Sequence, residues 1–123
     1  MKQSKAMPGG CEKLPTILVC DRYTGFREGL RNFLLSAGYA QVEVVASVRL
    51  ALIKLRQQRF EFVLIGVSPP ALAAQRLALV TRCRQPDAKI FYLVDAKDQP
   101  FIKDTSVETI LKEYVYSNLL ELI

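Results

Sequence analysis

The chemistry open to this chain is bounded first by a missing side chain: none of its 123 residues is a histidine. Ser-His-Asp and Cys-His catalysis, histidine zinc sites and a phosphohistidine relay carried by this chain are therefore excluded. Three cysteines, Cys11, Cys20 and Cys83, stand at unrelated spacings, so the sequence encodes neither a disulfide framework nor a CxxC metal or redox site. Cys20 and Cys83 are expected as small core residues and Cys11 as an exposed thiol. A reducing, cytoplasmic compartment goes with that pattern. The groups left with chemistry to offer are carboxylates, amines and guanidinium groups, and the elements that carry them decide which converge.

Seventeen Lys and Arg against twelve Asp and Glu give a net charge of +5. Lys2, Lys5 and Lys13 against Glu12 supply part of that excess within residues 1–15, a stretch that mixes Lys, Ser, Pro and a Gly-Gly pair and reads as a flexible tail. Arg49, Lys54, Arg56 and Arg59, then Arg76, Arg82 and Arg84, read as solvated helix faces. No aromatic platform interleaves with them and no recognition helix is present. Direct nucleic-acid binding by this chain is not expected. No apolar run reaches the roughly 18 residues of a membrane span.

Residues 16–123 are expected to form one domain. Ile17-Leu18-Val19-Cys20 is a continuous apolar run, the pattern of a strand covered on both faces. Phe26, Leu30, Phe33, Leu34 and Ala37 then form one helical stripe, with Gly38 as a left-handed stop and Arg27, Glu28 and Arg31 facing water. Val42 to Ala46 reads as a second strand. Ser47 reads as the N-cap of a helix whose stripe is Val48, Ala51, Leu52 and Leu55, leaving Leu50 and Ile53 outside it. Phe62 to Ile65 is a third strand broken by Gly66, and Leu72 to Cys83 a helix closed by Pro86. Ile90 to Val94 and Thr109 to Leu111 are further strands, and a last helix starts at Ser117. Strict alternation with short connections predicts a doubly wound, five-stranded parallel sheet with helices on both faces. Sites on such sheets lie at the carboxyl ends of the strands. That selects Asp21 and Arg22, Gly66 to Pro70, Asp95 and Ala96, and Lys112 and Glu113.

At those positions the chain resembles the receiver domain of bacterial response regulators, the CheY-like fold, and within it the NarL/LuxR-type branch. The stretches TILVCDRYTGFREGL (16–30), QPDAKIFYLVDAKD (85–98) and ILKEYVYSNLLELI (110–123) carry the resemblance. It implies the strand order 2-1-3-4-5. It also implies a phosphorylation site built from an acidic pair after the first strand, an acceptor aspartate after the third, a hydroxyl after the fourth and a lysine after the fifth. Carried over by position, Asp21 matches the first acid, but Arg22 stands at the second, the usual direct Mg²⁺ ligand. The acceptor position falls on Gly66, with Pro70 matching a proline four residues on. The hydroxyl position falls on Asp95, or on Val94 with the alignment moved by one. Lys112 keeps the family's identity.

Glycine offers no nucleophile, so no acyl phosphate forms at position 66. Arg22 places a guanidinium where a divalent cation would sit, and no Mg²⁺ or other cofactor is expected. The resemblance thus implies a degenerate receiver. Asp21, Arg22, Asp95 and Lys112 would converge on the old site as an internal ion-pair network that holds one conformation, the alternative being a drifted pocket with no switch state. Only 16 positions separate Ala96 from Lys112, so the family's fourth helix is expected to be shortened or missing, with Asp98 to Phe101 starting a single turn.

Leu50 and Ile53 off their helical stripe, Tyr114 and Tyr116, and the terminal leucines Leu119 and Leu120 form the expected interface, for a homodimer, a protein partner or a fused effector domain. One of the two tyrosines is expected to pack under the last helix. The functional expectation is a phosphorylation-independent regulatory module without catalysis. The alternatives are the regulatory half of a DNA-binding transcription regulator and a small-molecule module using the space above Gly66.

Overall fold

Every strand forms where an apolar run predicts one. In a computed structural model that describes residues 15–69, 71–101 and 106–123, the strands are β1 (Thr16–Cys20), β2 (Gln41–Val45), β3 (Phe62–Val67), β4 (Lys89–Val94) and β5 (Glu108–Leu111). They make one all-parallel sheet in the order β2-β1-β3-β4-β5. Among the described residues four α-helices cover it: α1 (Thr24–Ser36), α2 (Val48–Gln57), α3 (Leu72–Arg84) and α4 (Val115–Leu122).

Alternation along the strands divides the core in two. Leu18 and Cys20 of β1 join Ala51 and Leu55 of α2 and Leu77 and Ala78 of α3 on one face. Ile17 and Val19 join Leu30 and Leu34 of α1 and Val115 and Leu119 of α4 on the other. Period-2 strands covered by 3.6-period helices produce this doubly wound sandwich. Each fully buried aliphatic side chain contributes about 1.5–3 kcal/mol.

Local signals set the helix ends. Ser47 Oγ accepts the Leu50 N–H at 3.2 Å as the N-cap of α2. Gly38 takes φ 105°, and the Gly38 and Tyr39 N–H groups donate to the Leu35 and Leu34 carbonyls, both at 3.1 Å, to close α1. The joint between α2 and β3 is held by a side chain that the sequence left unremarked. The buried Gln85 accepts from the Phe60 N–H at 2.7 Å and donates to the carbonyls of Leu55 and Gln58 at 3.0 and 2.9 Å.

Several expectations are corrected. β3 is not broken at Gly66 but runs through it to Val67, because Gly66 and Val67 still pair with Leu93 and Val94 of β4. Cys83 is exposed, since the buried face of α3 passes through Ala74, Leu77, Ala78 and Thr81 and leaves position 83 on the far side. The last helix starts at Val115, after a 3-10 turn over Lys112–Tyr114. Leu119 is fully buried against α1 and the sheet and offers nothing to an interface. Between β4 and β5 stands a 3-10 turn, Ala96–Phe101, and no α-helix among the described residues, in keeping with the short connection. Cys11, the rest of the expected tail before Pro15, and Pro70 lie outside the described residues.

Candidate functional site: a pocket closed by its own carboxylate

The register of the sheet assembles the site. Cys20 pairs with Ile65 across β1 and β3, so Asp21 and Gly66 follow side by side at the carboxyl edge. Val67 pairs with Val94, and Val94 with Leu111, so Asp95 and Lys112 leave the same edge. Parallel pairing of strands far apart in sequence thus brings the four positions to one rim.

Asp21 is 2 % exposed, and its Oδ2 has an ion-pair partner but no hydrogen bond of good geometry. Its N–H donates to the Val45 carbonyl at 3.1 Å, and its own carbonyl accepts from Arg27 Nη1 at 2.9 Å. Oδ1 accepts the Tyr23 N–H at 2.8 Å, and Oδ2 lies 2.8 Å from Lys112 Nζ. Taking such a carboxylate out of water is tolerable only because it is paired and hydrogen-bonded.

The carboxylate lies across Gly66. A Cβ added at Gly66 would overlap Asp21 Oδ2 and come within 2.7 Å of Asp21 Cγ. Glycine is required here by close approach of a side chain, not by backbone conformation. Asp21 fills the place a side chain at position 66 would start from, while Gly66 and Asp21 both still border the cleft that opens toward α2 and α3.

Lys112 is held from the other side as well. Its side chain is 9 % exposed, and its ammonium lies 4.4 Å from the Phe26 ring centre and 5.1 Å from that of Tyr23. Each aromatic face adds about 0.5–2 kcal/mol to a partly desolvated cation. Phe26 was expected only as part of the apolar stripe of α1. It also forms a wall of the lysine site.

The four-charge network is not what the structure holds. Arg22 is exposed, with its guanidinium 5.3 Å from the Tyr23 ring centre. Asp95, its side chain 42 % exposed, faces Lys97 at 3.9 Å, and Lys97 also approaches Asp98 at 3.4 Å. The network contracts to one buried pair, Asp21 and Lys112, because the turn after β4 supplies Asp95 with a nearer cation. Arg27, expected to face water, instead bends back to the Asp21 carbonyl with its side chain only 14 % exposed. Its helical position pointed outward, but a six-residue reach to the end of β1 was not visible in the periodicity.

Beside this pair, burial and the neighbouring Asp21 charge push the Cys20 thiol up to about 12. It is an inert core thiol at neutral pH. Toward α2 and α3 the rim opens into a shallow cleft of about 450 Å³, bordered by Arg22, Ser47, Ser68 and Arg76. Tyr116, itself a residue of α4 and 45 % exposed, packs edge-on against Phe33 of α1 with ring centres 4.7 Å apart, so neither tyrosine is buried beneath the last helix as expected. Tyr114 is 56 % exposed, and Leu50 and Leu120 are exposed too, whereas Ile53 is half-buried.

No protein-family model matches the chain, and no curated protein does. Solved structures do. The response regulator TrrA from Thermotoga maritima, determined with Mg²⁺-BeF, superposes with a TM-score of 0.75 at 23 % identity over 89 % of this chain and 96 % of that one. The fold is the CheY-like receiver fold. A CheY-like receiver domain from Methanospirillum hungatei gives a TM-score of 0.75 at 22 % identity, over 89 % and 90 % of the two chains. CheY4 of Vibrio cholerae gives 0.71 at 20 %, over 90 % and 100 %.

Proposed function

We propose that this chain is a degenerate receiver of the NarL/LuxR type, a regulatory module of two-component-type signalling that works through protein contacts and without phosphorylation. The observation that carries this reading is the Asp21 carboxylate, laid over Gly66 and paired with Lys112 at 2.8 Å. An acceptor aspartate at position 66 would need the volume that Asp21 fills, and the lysine that would meet a phosphoryl group is already neutralised. Glycine provides no nucleophile.

The donor set does not fit Mg²⁺ either. A magnesium site needs oxygen ligands in near-octahedral array. The buried carboxylate here is spent on Lys112 and the Tyr23 N–H, and the next position is Arg22. Among the described residues no three potential ligating side chains cluster. Among the described residues the connection from β4 to β5 holds the Ala96–Phe101 turn and no α-helix, which adds support from the other end of the pocket, where a receiver would carry the helix whose shape reports a phosphorylated state. No helix among the described residues is long and apolar enough to cross a membrane.

Incubation with acetyl phosphate and Mg²⁺ followed by intact-mass measurement tests the proposal. The mass is expected to stay unchanged, and a stoichiometric, hydroxylamine-labile phosphoryl adduct would overturn it.

A further inference from the structure

The groove between α2 and α3 shares no lining residue with the cleft beside the Asp21–Lys112 pair. Arg49, Leu52, Ile53 and Arg56 recur at i, i+3, i+4 and i+7 and so share one face of α2. Val80 and Arg84 stand one turn apart on α3. The six side chains line a single open groove of about 440 Å³, its floor aliphatic and its rim three guanidinium groups.

These arginines are not consumed within the fold. Arg49, Arg56 and Arg84 make no ion pair with any described residue, whereas Lys54, on the same helix, is tied to Glu43 at 3.1 Å. Leu52 and Ile53 are only half-buried, so the groove floor is incompletely covered. An apolar strip between fixed positive charges is complementary to a segment with the opposite pattern, carboxylates bracketing aliphatic side chains. Arg49 and Arg56 are seven residues apart, roughly 10 Å along the helix axis. A third helix laid along the groove between two helices meets that spacing with acids two turns apart and apolar anchors between them.

We propose that the α2–α3 groove docks an acidic amphipathic helix of a protein partner. Leucine- or isoleucine-type anchors would meet Leu52, Ile53 and Val80, and carboxylates would meet Arg49, Arg56 and Arg84, each of which can bind one in bidentate fashion. A second copy of this chain is disfavoured, because it would bring the same arginines against themselves. Duplex nucleic acid would satisfy the charges but leave the aliphatic floor in water. The inference rests on the reading of the chain as a module that works through protein contacts.

The test uses the full chain and a fluorescein-labelled helical peptide of about 15 residues, with leucines on one face and flanking glutamates. Fluorescence anisotropy gives affinity, and amide chemical shifts locate the contact. Expected is binding that shifts the Leu52, Ile53 and Val80 amides. It should weaken at least tenfold in the R49E/R56E variant and in a peptide with Gln for Glu, and survive in R49K/R56K. Circular dichroism verifies that each variant is folded. Absence of binding, binding indifferent to R49E/R56E, tighter binding of a mixed-sequence DNA duplex to the same residues, or self-association lost in R49E/R56E would each overturn it. None of these outcomes bears on the acetyl phosphate result, so failure of the groove and failure of the pocket reading remain separable.

Discussion

Lys112 has a carboxylate on one side and two aromatic rings on the other, and that setting makes its loss more than the removal of one contact. In K112M the buried Asp21 would keep its charge with only the Tyr23 N–H to satisfy the carboxylate. Breaking one side of a buried pair in this way costs about 3–5 kcal/mol. Removing both charges leaves no such orphan, so D21N/K112M is expected to lie above K112M in stability, a comparison that urea unfolding makes directly. The sequence marked both residues, because each stands at a strand end where the family resemblance asks for chemistry. It placed both in a four-charge network and did not mark that they pair with each other alone, with Asp21 lying over a residue 45 positions away whose only signal was the absence of a side chain. Arg27 was hidden for a related reason. A stripe analysis assigns a helical residue to a face, whereas a long guanidinium arm can leave that face and bind a carbonyl at the end of the preceding strand.

At the scale of elements, the strands and the first three helices were readable because burial on both sheet faces writes apolar runs, and one-sided burial writes stripes. Errors fell where tertiary contacts outvote those patterns. Gly66 looked like a strand end but stays in the ladder because β4 pairs with it. The last helix was expected to start at Ser117 and to offer Leu119 and Leu120 to an interface, yet it starts at Val115, and Val115 and Leu119 are both fully buried. Its two adjacent leucines should therefore behave differently under the same substitution. L119A is expected to destabilise by about 2–5 kcal/mol through a cavity against α1, and L120A by no more than about 0.5 kcal/mol. Thermal melts of the two variants check the contrast, and equal shifts would show that α4 is not docked on its Leu119 face. Leu50 on α2 and Leu120 on α4 belong to helices on opposite faces of the sheet. The expected interface residues thus do not form one patch.

Across the whole molecule, the two apolar clusters are joined by the sheet itself, since alternate residues of each strand feed opposite faces. Damage to either side is expected to spread. L34A, in the α1 side, and L77A, in the α3 side, should each cost about 2–5 kcal/mol and still leave one transition, coincident by far- and near-ultraviolet circular dichroism. A split transition in either variant would mean that the faces unfold independently. The net charge of +5 also acquires a location at this scale. Some of the positive groups are used internally, Lys112 and Arg27 on Asp21 and Lys54 on Glu43, while Arg49, Arg56 and Arg84 gather around one groove.

The carboxylate lying across Gly66 also constrains the sequences this fold can reach by single changes. Any side chain placed at position 66 meets Asp21 first, and moving Asp21 first strands Lys112 beside two aromatic rings with no anion. Each first step passes through a chain less stable than the one it left. The carboxylate therefore works as a ratchet, and placing a phosphorylatable side chain at position 66 takes concerted replacement at several positions.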